Sequence, residues 1–436
     1  MDSLLVKVPY RVSDKPVVSG FDQDTPPLGI YTLKAYLKKY GYDIKACHVI
    51  NNKDLLDLKE TIKLKSPKFI GLSATTYEFI QAINMAKLCK SINPKIPIII
   101  GGPHVSINYE EALKYKEIDI VSRYEGEETL KELLENYSNG EFTNLENIKG
   151  IAFRKNDKVV VTPNREYMDL DEIPLIDYSE INRNRYKQQG VLITSRGCVG
   201  RCIFCAAASG VFGRFRERST QNVFQDMYEL YHKYGISQIN ILDNSFTVNK
   251  KRTHDVCNLI INNNLPIRWN CETRVEGVDK ELLTLMKKAG CYSIQYGVES
   301  ANDKTLANIR KGTNIKTINS SIELALEVGI EHICCNFIIG LPGDTVQTLE
   351  ETFEYMRKFK ASKRVHLSVS VLTPYPGTYV YNHAEDIGVN ILTKDWKRYN
   401  GMDVVCETNE LSAKIIREIY YKAYNEFYVT SYKEYI

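Results

Sequence analysis

The sequence lacks any apolar run that approaches the ~20 residues needed for a transmembrane helix. Its first sixteen residues, MDSLLVKVPYRVSDKP, also lack the apolar core and small-residue cleavage site of a secretory signal. We therefore expect a cytoplasmic protein that does not bind membranes. A strong excess of one charge is missing too, since 57 Lys and Arg residues face 54 Asp and Glu residues, a formal net charge of +3. This near balance does not favour a nucleic-acid partner, and we expect none.

Tandem repeats of solenoid type are absent as well. At 436 residues the chain exceeds what one hydrophobic core usually supports, which predicts two or three domains. Eleven cysteines in a long chain without a secretory signal predict reduced thiols rather than a disulfide framework. Eight of them are scattered through apolar segments and are typical of small buried side chains: Cys47, Cys89, Cys257, Cys271, Cys291, Cys334, Cys335 and Cys406. The other three form a cluster.

Short apolar runs alternate with helical stretches in two regions, which indicates an α/β protein. Residues 1–142 contain five such runs, LLVKV, DIKACHVI, FIGLSATT, IPIIIGG and DIVSRYEGEE, and this pattern predicts a doubly wound parallel sheet covered by helices. Residues 191–377 contain six, VLITS, QINILD, IRWNCETR, YSIQYGVES, HICCNFIIG and VHLSVSVLT. Six βα units can close most of a barrel or spread into an open sheet. In both arrangements ligands bind at the carboxyl ends of the strands.

Two further segments have a different pattern. Residues 143–190 lose the regular alternation, contain a predicted hairpin around Asn156 and Asp157, and are interpreted as a connector. Residues 378–436 are predicted to be a mainly helical, tyrosine-rich C-terminal tail. Aromatic residues at helical spacing more often pack in a core than cover an active site.

The cysteine cluster places Cys198, Cys202 and Cys205 within eight residues, with glycines between and beside them. A closed structural zinc site takes four ligands, and here it would have to recruit a distant one. A four-iron cluster held by three thiolates instead leaves one iron open for a further ligand. The glycines allow the loop to fold tightly, and the loop follows a predicted strand, at the end where ligands bind. The pattern therefore favours an iron-sulfur cluster over zinc.

The spacing Cys198-x-x-x-Cys202-x-x-Cys205, with the aromatic Phe204 before the third cysteine, resembles the signature of the radical S-adenosylmethionine (SAM) enzymes. The resemblance implies that residues 191–377 form a partial (β/α)6 TIM barrel. It also implies that the three cysteines are catalytic ligands of a [4Fe-4S] cluster. In that family the amino and carboxylate groups of SAM chelate the open iron, and the reduced cluster cleaves SAM to a 5′-deoxyadenosyl radical.

Further segments resemble the SAM-binding motifs of that family, in the family's order. Asp243 and Asn244, after the second predicted strand of the barrel, are candidates for holding the amino group. Arg274, after the third, could pair with a carboxylate in a planar fork, and Glu299, after the fourth, matches a residue that binds ribose hydroxyls. Taken alone, Arg274 or Glu299 is more often half of a structural ion pair. The end of the fifth strand resembles an adenine shelf: Ile338, Ile339, Gly340 and Leu341.

The segments TPPLGIYTLKAYLKKYGYDI, IGLSATT, IIIGGPHVS and DIVSRYEGEETLKELLE resemble the cobalamin-binding domain found ahead of many radical SAM cores. The resemblance implies a Rossmann-like, flavodoxin-like cobalamin-binding domain over residues 1–142. The candidate cobalamin-binding residues are Ser73, Ala74, Thr75, Gly101, Gly102, His104, Gly126 and Glu127. Adjacent glycines permit a large flat ligand to approach the backbone, although Gly-Gly-Pro alone is more often a tight turn. The Asp-x-His-x-x-Gly motif, which places a histidine below the cobalt in other cobalamin proteins, is absent, since neither His48 nor His104 has the required neighbours.

Together the two resemblances imply a radical SAM enzyme, a cobalamin-dependent methyltransferase acting on an unactivated carbon or a phosphorus atom of a small molecule. They also imply an electron donor such as flavodoxin or ferredoxin. Two alternatives stay open. The first is a cobalamin-dependent radical cyclase or rearrangement enzyme of the same architecture. The second is a non-catalytic iron-sulfur protein with a redox or sensing role.

Overall fold

The computed structural model describes residues 1–9 and 25–427 and divides into two compact units. The first comprises Met1–Gln189 with Val211–Gly213, and the second comprises Gly190–Gly210 with Arg214–Ile436. Part of the N-terminal segment inspected for a signal and the end of the predicted helical tail, residues 10–24 and 428–436, lie outside the described residues. Within the described part, the helices are all too short or too polar to cross a membrane.

The first unit is built on a seven-stranded sheet. Its strands are β1 (Ser3–Lys7), β2 (Ile44–His48), β3 (Phe69–Ser73), β4 (Ile98–Gly101), β5 (Ile120–Ser122), β8 (Ile151–Lys155) and β9 (Lys158–Val161), and a separate pair is formed by β6 (Tyr137–Ser138) and β7 (Glu141–Phe142). The order is β2-β1-β3-β4-β5-β8-β9, with β1 to β5 parallel and the last two strands antiparallel. The order 2-1-3-4-5 is that of a flavodoxin-like doubly wound sheet, as predicted, and the order in which successive strands are added reverses between β1 and β3.

The helices of the first unit pack their apolar sides on this sheet. They are α1 (Leu28–Lys39), α2 (Asn52–Lys65), α3 (Phe79–Ile92), α4 (Pro103–Ile107), α5 (Tyr109–Leu113) and α6 (Glu127–Glu135). Leu37 of α1 and Leu133 of α6 join Phe69 and Ile99 of the sheet in one buried cluster. Helix α6 begins with acidic residues, which favour the positive end of the helix dipole.

The second unit is built on six parallel strands, the six that the sequence predicts. They are β10 (Gly190–Leu192), β13 (Gln238–Ile241), β14 (Arg268–Thr273), β15 (Cys291–Glu299), β16 (His332–Ile339) and β17 (Val365–Val371), and they pair in chain order. Because β10 and β17 are the edges of this order, the strands form the predicted partial barrel rather than a closed one. The strands β11 (Ser195–Arg196) and β12 (Arg216–Glu217) form an antiparallel pair, and the cysteine loop lies between them in the chain.

The two faces of this six-stranded sheet differ in chemistry. The connecting helices are α7 (Thr220–His232), α8 (Lys250–Asn262), α9 (Lys280–Lys288), α10 (Asp303–Asn308), α11 (Ile315–Glu327) and α12 (Val346–Arg357). Along β14, Trp269 and Cys271 are buried, whereas Asn270 and Glu272 alternate with them and are partly or fully exposed. Gln295 of β15 donates to Glu272 over 2.9 Å. The sheet therefore has an apolar face and a polar, accessible face.

Two segments differ from the sequence-based expectation. The hairpin predicted around Asn156 and Asp157 is present, and both residues have positive φ (50° and 59°), as a tight primed turn requires. Its strands extend the first sheet, however, so residues 143–190 are more than a connector. The C-terminal region contains α13 (Tyr379–Asn382) and α14 (Ala413–Phe427), but also an antiparallel pair, β18 (Val389–Ile391) and β19 (Cys406–Thr408). The predicted helical tail is therefore present, with a short antiparallel pair in addition.

Candidate active site

A buried carboxylate fixes the strand end from which the cysteine loop departs. Asp243 follows β13 and is 1% exposed. Its Oδ1 accepts from the backbone N–H groups of Thr194 (2.6 Å) and Ser195 (3.0 Å), and its Oδ2 accepts from both hydroxyls. Burial raises the pKa of Asp243, and these hydrogen bonds oppose that shift. Since both oxygens are occupied by protein donors, the contacts give Asp243 a positioning role; its predicted contact with an amino group stays a prediction.

The three cysteines lie on a tight loop held from two sides. Gly197 has a φ of 79°, a conformation that glycine adopts without strain. The amide of Gly200 donates to Sγ of Cys198 over 3.3 Å, and the amide of Cys205 donates to the carbonyl of Cys202 over 3.2 Å. Burial raises the pKa of the Cys205 thiol, and the nearby thiols of Cys202 and Cys198 raise it further. The thiols are therefore close enough to interact electrostatically.

Arg274, at the end of β14, contacts the cysteine loop. Its Nη1 lies 3.5 Å from Sγ of Cys202, its Nε donates to Glu276, and its Nη2 donates to the carbonyl of Lys311. Burial acts to lower the pKa of Arg274, but Glu276 and Cys202 act in the opposite direction, and the net shift of the pKa is upward. A β-carbon at Gly200 would lie 2.8 Å from Nη1 of Arg274, so this close approach accounts for the glycine there. The guanidinium of Arg274, predicted to bind a carboxylate of a ligand, thus contacts Glu276, Cys202 and the carbonyl of Lys311.

A buried ion pair lies next to it. Nζ of Lys311 donates to Oε1 of Glu299 over 2.6 Å, and the two residues are 5% and 7% exposed. Burial acts to lower the pKa of Lys311, but Glu299 and Cys202 act in the opposite direction, and the net shift of the pKa is upward. Glu299 has a φ of 69°, which is unusual for a residue with a side chain and typical of functional sites. A β-carbon at Gly297 would lie 2.5 Å from the Glu299 carboxylate, so a larger residue there would displace the paired side chains.

A second buried carboxylate shapes the predicted adenine shelf. Oδ2 of Asp344 accepts from the amides of Gly340 (3.2 Å) and Leu341 (3.0 Å), and its Oδ1 accepts from Thr305 over 3.2 Å. Burial raises the pKa of Asp344 to about 7. Gly340 has a φ of 83°, and a β-carbon there would lie 3.2 Å from Ile416 of α14. The turn is therefore fixed from within and covered by the C-terminal helix.

The remaining predicted SAM-binding residues differ in accessibility. Asn244 is exposed, and its side chain lies 3.4 Å from the carbonyl of Gly197 in the cysteine loop. Phe204 and Ile338 are half-buried, whereas Ile339 is buried. Asn244, Phe204 and Ile338 are thus the members of this remaining set with side chains accessible to a ligand.

The predicted cobalamin-binding residues all lie at or after the carboxyl ends of β3, β4 and β5. Those that are half-buried or exposed are Ser73, Thr75, Gly101, Gly102 and Gly126. Gly102 has a φ of 114°, and a β-carbon there would lie 2.3 Å from the carbonyl of Ala74, so the loops after β3 and β4 approach each other closely. This edge presents small side chains and accessible backbone, which suits a broad, flat ligand such as a corrin.

Three other members of that set are buried in the first unit: Ala74, His104 and Glu127. Nδ1 of His104 is 3.3 Å from the hydroxyl of Thr76, and burial lowers the pKa of His104 to about 4. Burial also lowers the pKa of His48 to about 3, and its ring stacks on Tyr186. These contacts give the two histidines packing roles, in keeping with the missing cobalt-ligand motif.

Sequence inspection missed Lys311, Asp344, Thr194 and Ser195. Lys311 lies on a loop without a motif, so nothing in the sequence marked it. Asp344 could have been noticed, because GLPGDT places an acidic residue beside the predicted shelf. The partners of Asp243 could not, since a contact across about fifty residues has no local signal.

The donor set fits an iron-sulfur cluster. A cavity of ≈ 330 Å³ is lined by Cys202 and Cys205, and thiolates are the ligands that such clusters take. Across residues 1–9 and 25–427, no three His, Cys, Asp or Glu side chains converge as ligands of a single metal ion would. A four-iron cube lies between its thiolates and so does not require that convergence.

Comparison with known proteins yields two matching family models. The radical SAM superfamily model matches residues 192–356, and the B12 binding domain model matches residues 15–134. The first range contains the cysteine loop and five of the six barrel strands in whole or in part, and the second contains the edge described above.

Individual relatives agree with these models. An uncharacterized methyltransferase of Pyrococcus horikoshii is 32% identical over 98% of this chain and 93% of its own. An anaerobic magnesium-protoporphyrin IX monomethyl ester cyclase of Rubrivivax gelatinosus is 27% identical over 93% of this chain and 74% of its own. Among solved structures, the radical SAM methyltransferase TsrM of Kitasatospora setae, with cobalamin and a [4Fe-4S] cluster bound, shares the fold with a TM-score of 0.75 at 16% identity, over 98% of this chain and 89% of that one. The chain therefore belongs to the radical SAM enzymes with a B12-binding domain, whose cofactors are a [4Fe-4S] cluster, S-adenosylmethionine and cobalamin.

Proposed function

We propose that this enzyme transfers a methyl group to an unactivated carbon, or to phosphorus, of a small molecule. The observation that carries the proposal is the full-length similarity to the uncharacterized methyltransferase of Pyrococcus horikoshii. The cluster supplies one electron for the cleavage of SAM, and the corrin carries the methyl group. The chain's own contribution is to position these groups and the substrate and to exclude water.

In this proposal several of the predicted site residues have roles that their surroundings support. Cys198, Cys202 and Cys205 bind the cluster. Asp243 positions the start of their loop, and Arg274 acts on Cys202 through its guanidinium. Glu299 is held by Lys311 at the end of β15, from where the carboxylate can accept from ribose hydroxyls once the ion pair opens. Backbone atoms from Ile338 to Leu341 form the adenine shelf, which Asp344 keeps in shape.

The substrate is proposed to bind against the polar face of the six-stranded sheet. Asn270 and Glu272 of β14, Gln295 of β15 and Asn336 of β16 belong to this face, and hydrogen-bonding side chains there suit a polar small molecule.

The test is anaerobic incubation of the reconstituted holoenzyme with SAM labelled in its methyl group, a reductant and candidate substrates. We expect 5′-deoxyadenosine and labelled methyl in the product, in a fixed ratio. The Cys205→Ala variant is the control and should produce neither. Production of deoxyadenosine without label in any product would overturn the methyl-transfer proposal.

A cobalamin-dependent radical cyclase or rearrangement enzyme is the second candidate. The similarity to the Rubrivivax gelatinosus cyclase favours it. The same incubation separates the two, because a cyclase leaves the methyl label in methionine. Since family membership makes the chain an enzyme, the interpretation as a non-catalytic iron-sulfur protein is set aside.

Enzymes of this family need a reductant. We propose that a flavodoxin or a ferredoxin supplies the electron.

A further inference from the structure

Two neighbouring cavities in the second unit share a pair of arginines. The larger, of ≈ 700 Å³, and the smaller, of ≈ 330 Å³, are both lined by Arg201 and Arg310. The smaller cavity is also lined by Cys202 and Cys205. A surface that presents these two arginines thus leads directly to the thiols of the cysteine loop.

The charges on this surface are unbalanced. Arg201 and Arg310 are exposed, and neither forms an ion pair among the described residues. The carboxylate that lines the larger cavity, Glu276, is already paired with Arg274. The buried ammonium of Lys311 is neutralised by Glu299. Two uncompensated positive charges therefore remain at the rim.

An apolar tip lies within the same rim. Val199, the residue after Cys198, lines the larger cavity and is 56% exposed. In a contact with another protein, an apolar side chain at this position would add buried area, and the flanking charges would guide the approach.

The rim is built on a fixed backbone. The amide of Ile203 donates to the carbonyl of Ile309 over 3.1 Å, which joins the cysteine loop to the residues before Arg310. Arg310 has a φ of 53°, and its guanidinium lies 4.5 Å from the ring centre of Tyr379. A side chain stacked in this way loses little entropy when a partner binds.

We propose that Val199, Arg201 and Arg310 form the docking surface for an acidic one-electron carrier protein of the flavodoxin or ferredoxin class. This rests on the electron donor of the proposed function. The carrier's reduced cofactor gives up one electron and is oxidised, and the cluster beside Cys202 and Cys205 accepts it. Positive charge on the enzyme and negative charge on the carrier accelerate the encounter, so the reaction slows as ionic strength rises.

The test follows cluster reduction in the anaerobic holoenzyme by stopped-flow absorbance. Arg201→Glu, Arg310→Glu and the double variant are compared with Lys251→Glu, a control that reverses an exposed charge on α8 outside both cavities. With a reduced acidic flavodoxin at low salt, we expect the second-order rate to fall at least tenfold in the double variant and to remain unchanged in the control. The difference should shrink at high salt.

Two further measurements distinguish a docking defect from damage to the cluster or to the SAM site. Reduction by photoreduced deazaflavin, a small neutral donor, should be the same in all variants, and so should the affinity for SAM. An equal loss with deazaflavin, a loss of SAM affinity, or a flavodoxin rate that matches the control would overturn the docking surface. Because reduction is read directly, failure to find methyl transfer would leave this result intact.

Discussion

At the scale of single residues, the site is organised by charged groups packed against one another beside the cysteine loop. Arg274, Lys311 and Glu299 are held by contacts shorter than 3.6 Å to a thiol, a carbonyl or each other. In a largely buried setting, such charges act strongly on their neighbours. Two predictions concern these side chains.

Replacing Arg274 should change the reduction potential of the cluster. A cation that hydrogen-bonds a ligating sulfur stabilises the reduced, more negative cluster. Arg274→Met should therefore lower the potential on the order of 50–100 mV, the equivalent of about 1–2 kcal/mol for one electron. A spectroscopic redox titration of the SAM-free holoenzyme measures it.

Arg274→Lys and Glu276→Gln are the matched comparisons. The first retains the charge and the second retains the guanidinium, so both should shift the potential less than Arg274→Met. An unaltered potential together with weaker SAM binding would instead support the carboxylate contact expected from the sequence.

Removing Lys311 should destabilise the second unit. Lys311→Met leaves the Glu299 carboxylate buried without its partner, which typically costs about 3–5 kcal/mol. The thermal unfolding midpoint of the apo protein should drop on the order of 10 °C. The double variant Lys311→Met with Glu299→Gln should recover part of the loss, because no unpaired charge remains. A double variant as unstable as the single one would contradict this role for the ion pair.

At the scale of elements, strand ends are fixed by buried carboxylates that accept from backbone amides. Asp243 does this for the segment that follows β10, and Asp344 does it for the turn that follows β16. Such acceptors hold irregular backbone in one shape, because an unsatisfied buried amide is costly. Binding loops can then be precise without being part of a strand or helix.

The turn held by Asp344 should respond to substitution and to pH. Asp344→Ala leaves two amides without acceptors and should cost about 1–3 kcal/mol, whereas Asp344→Asn keeps an acceptor and should cost less. Because burial raises the pKa of Asp344 to about 7, above about 3.9 in the unfolded chain, the folded state binds the extra proton between these values. Its stabilisation is full below pH ~4 and is lost as the pH rises through about 7.

Denaturant unfolding between pH 4 and 8 tests this. The wild type should lose stability relative to Asp344→Asn over that range. A wild type that instead gains stability relative to Asp344→Asn would show that the carboxyl is ionised throughout.

At the scale of the whole molecule, two units carry the two families' signatures, one for the cluster and SAM and one for cobalamin. The strands of both parallel sheets were predictable, because continuous apolar runs are local signals. The pairing of residues 151–161 with β5 was not predictable, because the two segments become neighbours only in the folded sheet. The cysteine loop was predictable from spacing alone, whereas the contacts of Arg274 and Asp243 depend on neighbours that are distant in sequence.

The iron-sulfur cluster and cobalamin should be separable by substitution. Gly102→Ala places a β-carbon 2.3 Å from the carbonyl of Ala74 and should reduce cobalamin retention, with iron and sulfide content unchanged. Cys205→Ala should have the opposite effect. Gly29→Ala is the control, because nothing lies within 4 Å of a β-carbon there. Visible spectra and iron analysis of anaerobically prepared protein provide the measurement; loss of both cofactors in either variant would argue against independent sites.

The antiparallel hairpin β8–β9 determines where this chain can be cut. Arg154 on β8 donates to the carbonyls of Tyr115 and Ile118, and the amide of Gly150 donates to the carbonyl of Pro163. A fragment ending at residue 142 would expose the backbone N–H and C=O groups of β5, which could then pair with the edge strand of another molecule and cause aggregation. One that runs at least through Pro163 keeps that edge covered. In size-exclusion chromatography the short fragment should elute as aggregate and the longer one should aggregate less, so a boundary chosen from sequence alone would discard the strands that seal the sheet.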